Sequence, residues 1–149
     1  MLNKKTGEYD TKPKSSPRFD IVAIKEGKLY VIELKKGTSA LKGKSGMHDH
    51  IDSFIHTIAK NEDTIQLFIG EMKNLLKQKQ EFGLIDKDLT IVSDSVEFCF
   101  AYSFRQLPEK RKREIKSINN ILNYTDENGI KPGDYNIIYL EPGEYKLTF

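Results

Sequence analysis

The most regular apolar pattern of the chain lies between residues 18 and 37, RFDIVAIKEGKLYVIELKKG. Two runs with the two-residue period of β-strands, RFDIVAI and LYVIELK, flank Glu26 and Gly27. Glycine reaches the positive φ that a two-residue hairpin turn requires. The pattern therefore predicts an antiparallel hairpin in which Asp20 stands opposite Glu33.

Two amphipathic helices are predicted after this hairpin. A lysine-bearing loop of small residues, TSALKGKSG, leads into MHDHIDSFIHTIAK, whose apolar residues recur at helical spacing, with Ser45 or Gly46 as the N-terminal cap. A longer apolar stripe runs through residues 62–82 and ends before Gly83, which is a typical helix stop. Each helix is expected to bury one face.

The second half of the chain predicts a central strand, a helix and a terminal hairpin. Val96 to Phe104 is apolar on both strand faces, which is typical of a strand covered on two sides. A helix is predicted from Pro108 to about residue 124, and YNIIYL and EYKLTF flank the turn pair Pro142-Gly143. The resulting order, β-β-α-α-β-α-β-β, predicts an α/β (α+β) fold with a mixed central β-sheet flanked by helices.

Composition narrows the class of protein. With 149 residues, 38% of them hydrophobic, the chain predicts a single domain over 1–149, in which the polar residues 1–17 form an irregular arm. The formal net charge is only +2, so any affinity for nucleic acid must come from local patches. Cys99 is the single cysteine, and neither a long apolar span nor the apolar core of a signal peptide is found, so we expect a soluble, cytoplasmic protein without a membrane partner.

Three charges inside the apolar hairpin require an explanation. Opposed residues of an antiparallel pair share a sheet face with Cβ atoms about 4.5–5.5 Å apart, so Asp20 and Glu33 should repel each other, and Lys35 should point to the same face. A bound Mg²⁺ relieves this repulsion, because it accepts one or two carboxylates and keeps waters and phosphate oxygens in its other positions. The alternative is a solvated cluster in which Arg18 and Lys35 neutralise the two acids.

The motif resembles that of the PD-(D/E)XK nuclease superfamily, which has the restriction-endonuclease-like fold. The resemblance rests on Asp20, a hairpin spacer, and the triplet Glu33-Leu34-Lys35. It implies that Asp20 and Glu33 bind Mg²⁺, or Mn²⁺ as a substitute, together with the backbone carbonyl of Leu34. It also implies that Asp20, Glu33 and Lys35 are catalytic, with Lys35 acting on the attacking water, in a phosphodiester hydrolase that cuts DNA, with RNA as an alternative substrate.

The chain departs from the family pattern at two places. Phe19 precedes the aspartate where the family has proline, and the N-terminal helix of the family is missing from the predicted elements. Glu8 is a candidate for the acid that this helix often supplies, although a solvated residue in the arm is the favoured interpretation. The alternatives are therefore a catalytically inactive nucleic-acid- or protein-binding module, or a structural part of a larger complex. By analogy with the family, a homodimer is also expected.

A second group of side chains is a candidate nucleic-acid surface. The loop before the first helix and the start of that helix carry basic groups and free amides where a helix N-terminus attracts phosphate. The candidate residues are Lys36, Lys42, Lys44, Ser45, His48 and His50. Solvated surface is the alternative for each of them individually.

Two further charged patterns have simpler interpretations. His48, Asp52 and His56 recur at every fourth position of the first helix, which is one way to place zinc ligands. One helix offers ligands only along a line, so a polar helix face is the favoured interpretation. The basic run EKRKREIK from Glu109 is likewise more typical of a solvated helix face than of a DNA grip, in which each cation would add a salt-sensitive phosphate contact.

Overall fold

The computed structural model describes residues 18–43, 46–104 and 107–140. These ranges contain four strands and three α-helices in the predicted order. They are β1 (Ile21–Lys25), β2 (Lys28–Lys36), α1 (Met47–Thr57), α2 (Glu62–Glu81), β3 (Val96–Ser103), α3 (Pro108–Leu122) and β4 (Asn136–Leu140). The fold is therefore a mixed α/β arrangement, as the sequence predicts.

The four strands form one sheet in the order β1-β2-β3-β4. β1 and β2 are antiparallel, and their register pairs Ile21 with Ile32 and Val22 with Val31, as the turn position predicts. β3 runs parallel to β2, and β4 runs parallel to β3. The predicted central strand is confirmed, because β3 lies between two neighbours and is buried over Phe98 to Tyr102.

The turn of the hairpin explains the choice of glycine. Glu26 and Gly27 both have positive φ, 50° and 76°, which is the conformation of a tight hairpin turn. The carbonyl of Gly27 also accepts hydrogen bonds from the amides of Val92 and Ser93, at 2.9 and 3.0 Å. A Cβ on Gly27 would clash with Cγ2 of Val92. Glycine is therefore favoured both by the positive φ of the turn and by the close approach of the Val92 side chain.

All three described helices pack on one face of the sheet. The main core joins the buried side of α1 and α3 to the aromatic residues of β3, including Phe98 and Phe100. A second cluster joins Ile69 and Leu76 of α2 to Leu29 of β2. The opposite sheet face carries a separate apolar cluster around Ile32, Cys99 and Ala101. β3 thus buries both of its faces, and β2 does so over Val31 to Glu33.

The structure adjusts several predicted boundaries. α1 ends at Thr57 rather than continuing to residue 60, because the chain turns before Asn61 caps α2 through its side chain. The predicted loop after β2 contains a short 3₁₀ helix, Thr38–Leu41. The arm over 1–17 and the last predicted strand, EYKLTF, lie outside the described residues. No helix within the described ranges has the length and apolar character needed to cross a bilayer.

Candidate active site

The centre of the site is a charged pair on a buried strand. Glu33 and Lys35 lie on the helix-covered face of β2, where their side chains alternate with Leu34 on the other face. Glu33 is 1% exposed and Lys35 is 4% exposed. Lys35 Nζ lies 3.9 Å from Glu33 Oε2. Burying two charges this completely costs free energy unless they are paired, and the strand period places Glu33 and Lys35 beside each other.

Asp20 reaches the site in a different way from the prediction. The strand pairing begins at Ile21, so Asp20 lies just before β1, is exposed, and does not form a ladder pair with Glu33 in the observed register. Its Oδ2 instead accepts a hydrogen bond from the amide of Leu34 at 2.9 Å. The side chain therefore substitutes for a main-chain acceptor at the end of the hairpin. The cause is that the ladder stops one residue earlier than the apolar pattern suggests.

The geometry at Leu34 brings its carbonyl to the same edge. In an extended strand the N–H and C=O of one residue point to the same side, and the N–H of Leu34 points to Asp20. The carbonyl of Leu34 thus faces the edge on which the Asp20 carboxylate lies. A side-chain contact with the Leu34 amide, rather than the predicted strand pair with Glu33, therefore holds Asp20 at this edge.

The charges around Lys35 come from three parts of the chain: β2, α1 and the segment before β1. Burial lowers the pKa of Lys35 from the usual lysine range, because the charged ammonium loses its hydration. The negative charges of Glu33, Asp20 and Asp49 act in the opposite direction and only partly offset this effect. The two acids predicted from the hairpin are thus close enough to influence one lysine, and Asp49 of α1 joins them.

α1 supplies a contact that sequence reasoning missed. His50 Nδ1 lies 3.0 Å from Glu33 Oε2, the same oxygen that Lys35 approaches. The sequence pattern predicts phosphate binding for His50 and does not indicate a role for Asp49. The only signal was their position in the first turn of the helix that follows β2. Which face of that turn points to β2 depends on the packing of α1, so a single sequence does not decide it.

The loop before α1 fixes this packing. The amide of Gly46 donates to the carbonyl of Gly43 at 2.8 Å, and Gly46 is the N-cap of α1. A Cβ on Gly46 would come within 2.7 Å of the backbone of Lys42. Glycine therefore permits the tight turn that brings the helix start beside the end of β2. Gly46 rather than the alternative, Ser45, is the cap.

The remaining predicted nucleic-acid residues are placed in different ways. Lys36 and Lys42 are exposed, whereas Lys44 and Ser45 lie outside the described residues. His48 Nε2 donates to the carbonyl of Tyr124 at 3.0 Å, and the two rings form an edge contact. His48 thus ties α1 to the chain after α3, away from the pair formed by Glu33 and His50.

The cation-binding capacity of the site depends on its oxygen donors. Within residues 18–43, 46–104 and 107–140, no three His, Cys, Asp or Glu side chains are grouped closely enough to hold a metal ion. His56 contacts Asp52 while His48 bonds elsewhere, so the helical stripe does not converge. Glu33 Oε1, however, is buried and has no hydrogen-bond partner among the residues that the structure describes. An unpaired buried carboxylate oxygen is a vacant ligand, and Mg²⁺ needs only one or two carboxylates beside its waters.

Comparisons with known proteins do not add to this geometry. No protein-family model, no curated protein and no solved structure matches the chain.

Proposed function

We propose that this protein is a Mg²⁺-dependent nuclease of the PD-(D/E)XK type that hydrolyses phosphodiester bonds of DNA. The observation that carries the proposal is the buried carboxylate of Glu33. One of its oxygens lies 3.0 Å from His50 and 3.9 Å from Lys35, and the other has no hydrogen-bond partner within the described part of the chain. A sheet in which an antiparallel hairpin is continued by two parallel strands is compatible with the restriction-endonuclease-like fold.

Three groups of the chain would hold the metal ion. They are the unpaired oxygen of Glu33, the carboxylate of Asp20 and the main-chain carbonyl of Leu34, which lies on the Asp20 side of β2. When bound, the ion supplies Lewis acidity toward a phosphate oxygen and lowers the pKa of a coordinated water. Mn²⁺ accepts the same oxygen donors and is expected to substitute.

Lys35 would orient the attacking water and stabilise negative charge that develops on the phosphate. Its lowered pKa follows from burial, and a partly desolvated ammonium interacts strongly with a nearby anion because water does not screen it. His50 would hold Glu33 in place through its contact with Oε2, which leaves Oε1 directed to the metal. His50 is therefore a positioning residue in this proposal.

The test is cleavage of supercoiled plasmid and of single-stranded DNA with Mg²⁺, Mn²⁺ or EDTA. Glu33→Gln and Lys35→Met are expected to lose cleavage by about 100-fold or more, since each removes a group that acts in the reaction. Glu97→Gln and Lys28→Met are matched controls, because Lys28 Nζ lies 3.8 Å from Glu97 Oε1 in a more exposed pair. Equal cleavage by the two site variants and the two controls would exclude Glu33 and Lys35 from catalysis.

A second function, binding without catalysis, is favoured by one observation. Oε2 of Glu33 already lies near both Lys35 and His50, so the carboxylate is partly compensated without a divalent ion. A nuclease-like module of this kind would bind DNA in a salt-dependent manner but would not turn it over. Calorimetry with Mn²⁺ separates the two functions, because heat of binding that is lost in Glu33→Gln is expected only for the metal-dependent enzyme.

A further inference from the structure

An aromatic pocket lies at the carboxyl ends of β3 and β4. Its volume is about 350 Å³, and it is lined by two rings, one cation and residues of α3. The lining residues are Phe104, Arg111, Ile115, Ile118, Asn119 and Tyr139. The site described above uses none of these residues.

The pocket contains the components that recognise a planar base. The rings of Phe104 and Tyr139 are stacked, with centroids 5.4 Å apart and an angle of 16° between their planes. The guanidinium carbon of Arg111 lies 4.7 Å from the centroid of Phe104. Tyr139 is 45% exposed, so part of its surface remains open to a ligand. Aromatic rings bind unpaired bases by stacking, and arginine adds a planar cation that pairs with phosphate.

The strand register relates this pocket to the candidate active site. Lys35 pairs with Tyr102, and Tyr102 pairs with Tyr139, so the three residues form one row across the sheet. Directly paired residues share a face, and the row is two strand spacings wide, about 10 Å at the backbone. The pocket and Lys35 are thus two strands apart on one sheet face, with the fully buried Tyr102 between them, and a nucleic-acid strand that used both would pass over the elements that cover this row.

We propose that this pocket is a stacking subsite for an unpaired base of single-stranded DNA, held on Tyr139 at the same end of the sheet as Lys35 and two strands away from it. The inference rests on the proposed function for the identity of the polymer, and it narrows the substrate class to DNA with at least one unpaired nucleotide. A base within a duplex is stacked on its neighbours, so it cannot use the pocket without leaving the helix at a cost.

The test is binding of fluorescein-labelled single-stranded DNA and of the matching duplex to the full chain in EDTA, followed by anisotropy. Tyr139→Ala is expected to weaken single-strand binding by about 5- to 100-fold, the range of one base stacked on an aromatic ring, with little change for duplex. Tyr139→Phe keeps the ring and should remain within about twofold of the parent. Phe82→Ala is the control, because Phe82 is exposed but lies outside the pocket lining.

The outcomes separate this inference from the nuclease activity. Binding in EDTA does not require cleavage, so a stacking effect at Tyr139 supports the subsite even if no variant cuts DNA. The subsite is overturned if the parent protein does not bind single-stranded DNA, if Tyr139→Ala binds it as well as the parent does, or if single strand and duplex lose affinity equally. A single-stranded RNA of the same sequence, bound more tightly than DNA and with the same Tyr139 dependence, would overturn the choice of DNA.

Discussion

The buried charge pair permits a quantitative test of the site. Glu33→Gln and Lys35→Met each remove one charge with little change of shape, and the double variant completes a thermodynamic cycle. At the observed 3.9 Å, the Coulomb attraction is about 4 kcal/mol for an effective dielectric constant of about 20. His50, Asp20 and Asp49 lie close enough to share in the compensation, so we expect a measured coupling energy of about 2–3 kcal/mol.

The two single variants are expected to differ. Burial lowers the pKa of Lys35 despite three nearby acids, which means that the site disfavours the ammonium overall. Lys35→Met removes this cost together with the attraction, whereas Glu33→Gln leaves a buried cation without the negative charge of Glu33. Glu33→Gln should therefore be the more destabilising change. It should lower the free energy of unfolding by about 3–5 kcal/mol, the usual loss when one partner of a buried pair is removed.

The assay is urea unfolding at pH 7 in EDTA, followed by far-ultraviolet circular dichroism because the chain has no tryptophan. The matched cycle uses Lys28→Met and Glu97→Gln, a pair at 3.8 Å whose side chains are 55% and 36% exposed. An exposed pair at this distance is expected to couple by less than about 1 kcal/mol. If the two cycles give the same coupling energy, burial does not strengthen the pair and the electrostatic argument for the site is wrong.

Three further predictions concern a buried thiol and two glycines of the fold. Burial raises the pKa of Cys99 from 9.0 to about 11, so the thiol loses its proton at lower pH in the unfolded chain than in the folded protein. The stability that the buried neutral thiol contributes is therefore complete below pH 9 and is lost as the pH rises toward 11. Between pH 8.5 and 10 the parent should lose about 1 kcal/mol more unfolding free energy than Cys99→Ala, and equal losses would contradict the shift. Gly27→Ala should lower the free energy of unfolding by about 1–2 kcal/mol because of its positive φ. The loss should be larger in the parent than in a Val92→Ala background, because the new Cβ meets the Val92 side chain. Identical losses in urea unfolding would exclude the contact. Gly46→Ala should lower both stability and the affinity for Mn²⁺ measured by calorimetry, because its Cβ meets the backbone of the loop. Gly43→Ala has open space around the new Cβ but a positive φ, so it should lower stability alone. Equal Mn²⁺ affinity in the two variants would show that the loop does not position the site.

The amino-acid sequence determined the local part of this architecture. Period-two alternation and the pair Glu26-Gly27 specify the hairpin and its register, because a one-residue slip would exchange the buried and exposed faces of the strand. The apolar stripes of the three helices and the two-sided apolar run of β3 were likewise readable, since their spacing is a property of the chain itself. The positions of Glu33 and Lys35 on one strand face follow from the same period.

Only the tertiary structure decided which groups meet these two residues. Asp20 stops short of the ladder and bonds to the amide of Leu34, and His50 reaches Glu33 because a tight loop sets the direction of α1. The parallel register that aligns Lys35 with Tyr139 also lies beyond local patterns. Such contacts join segments far apart in the chain, and they depend on how whole elements pack, which hydrophobic periodicity does not encode.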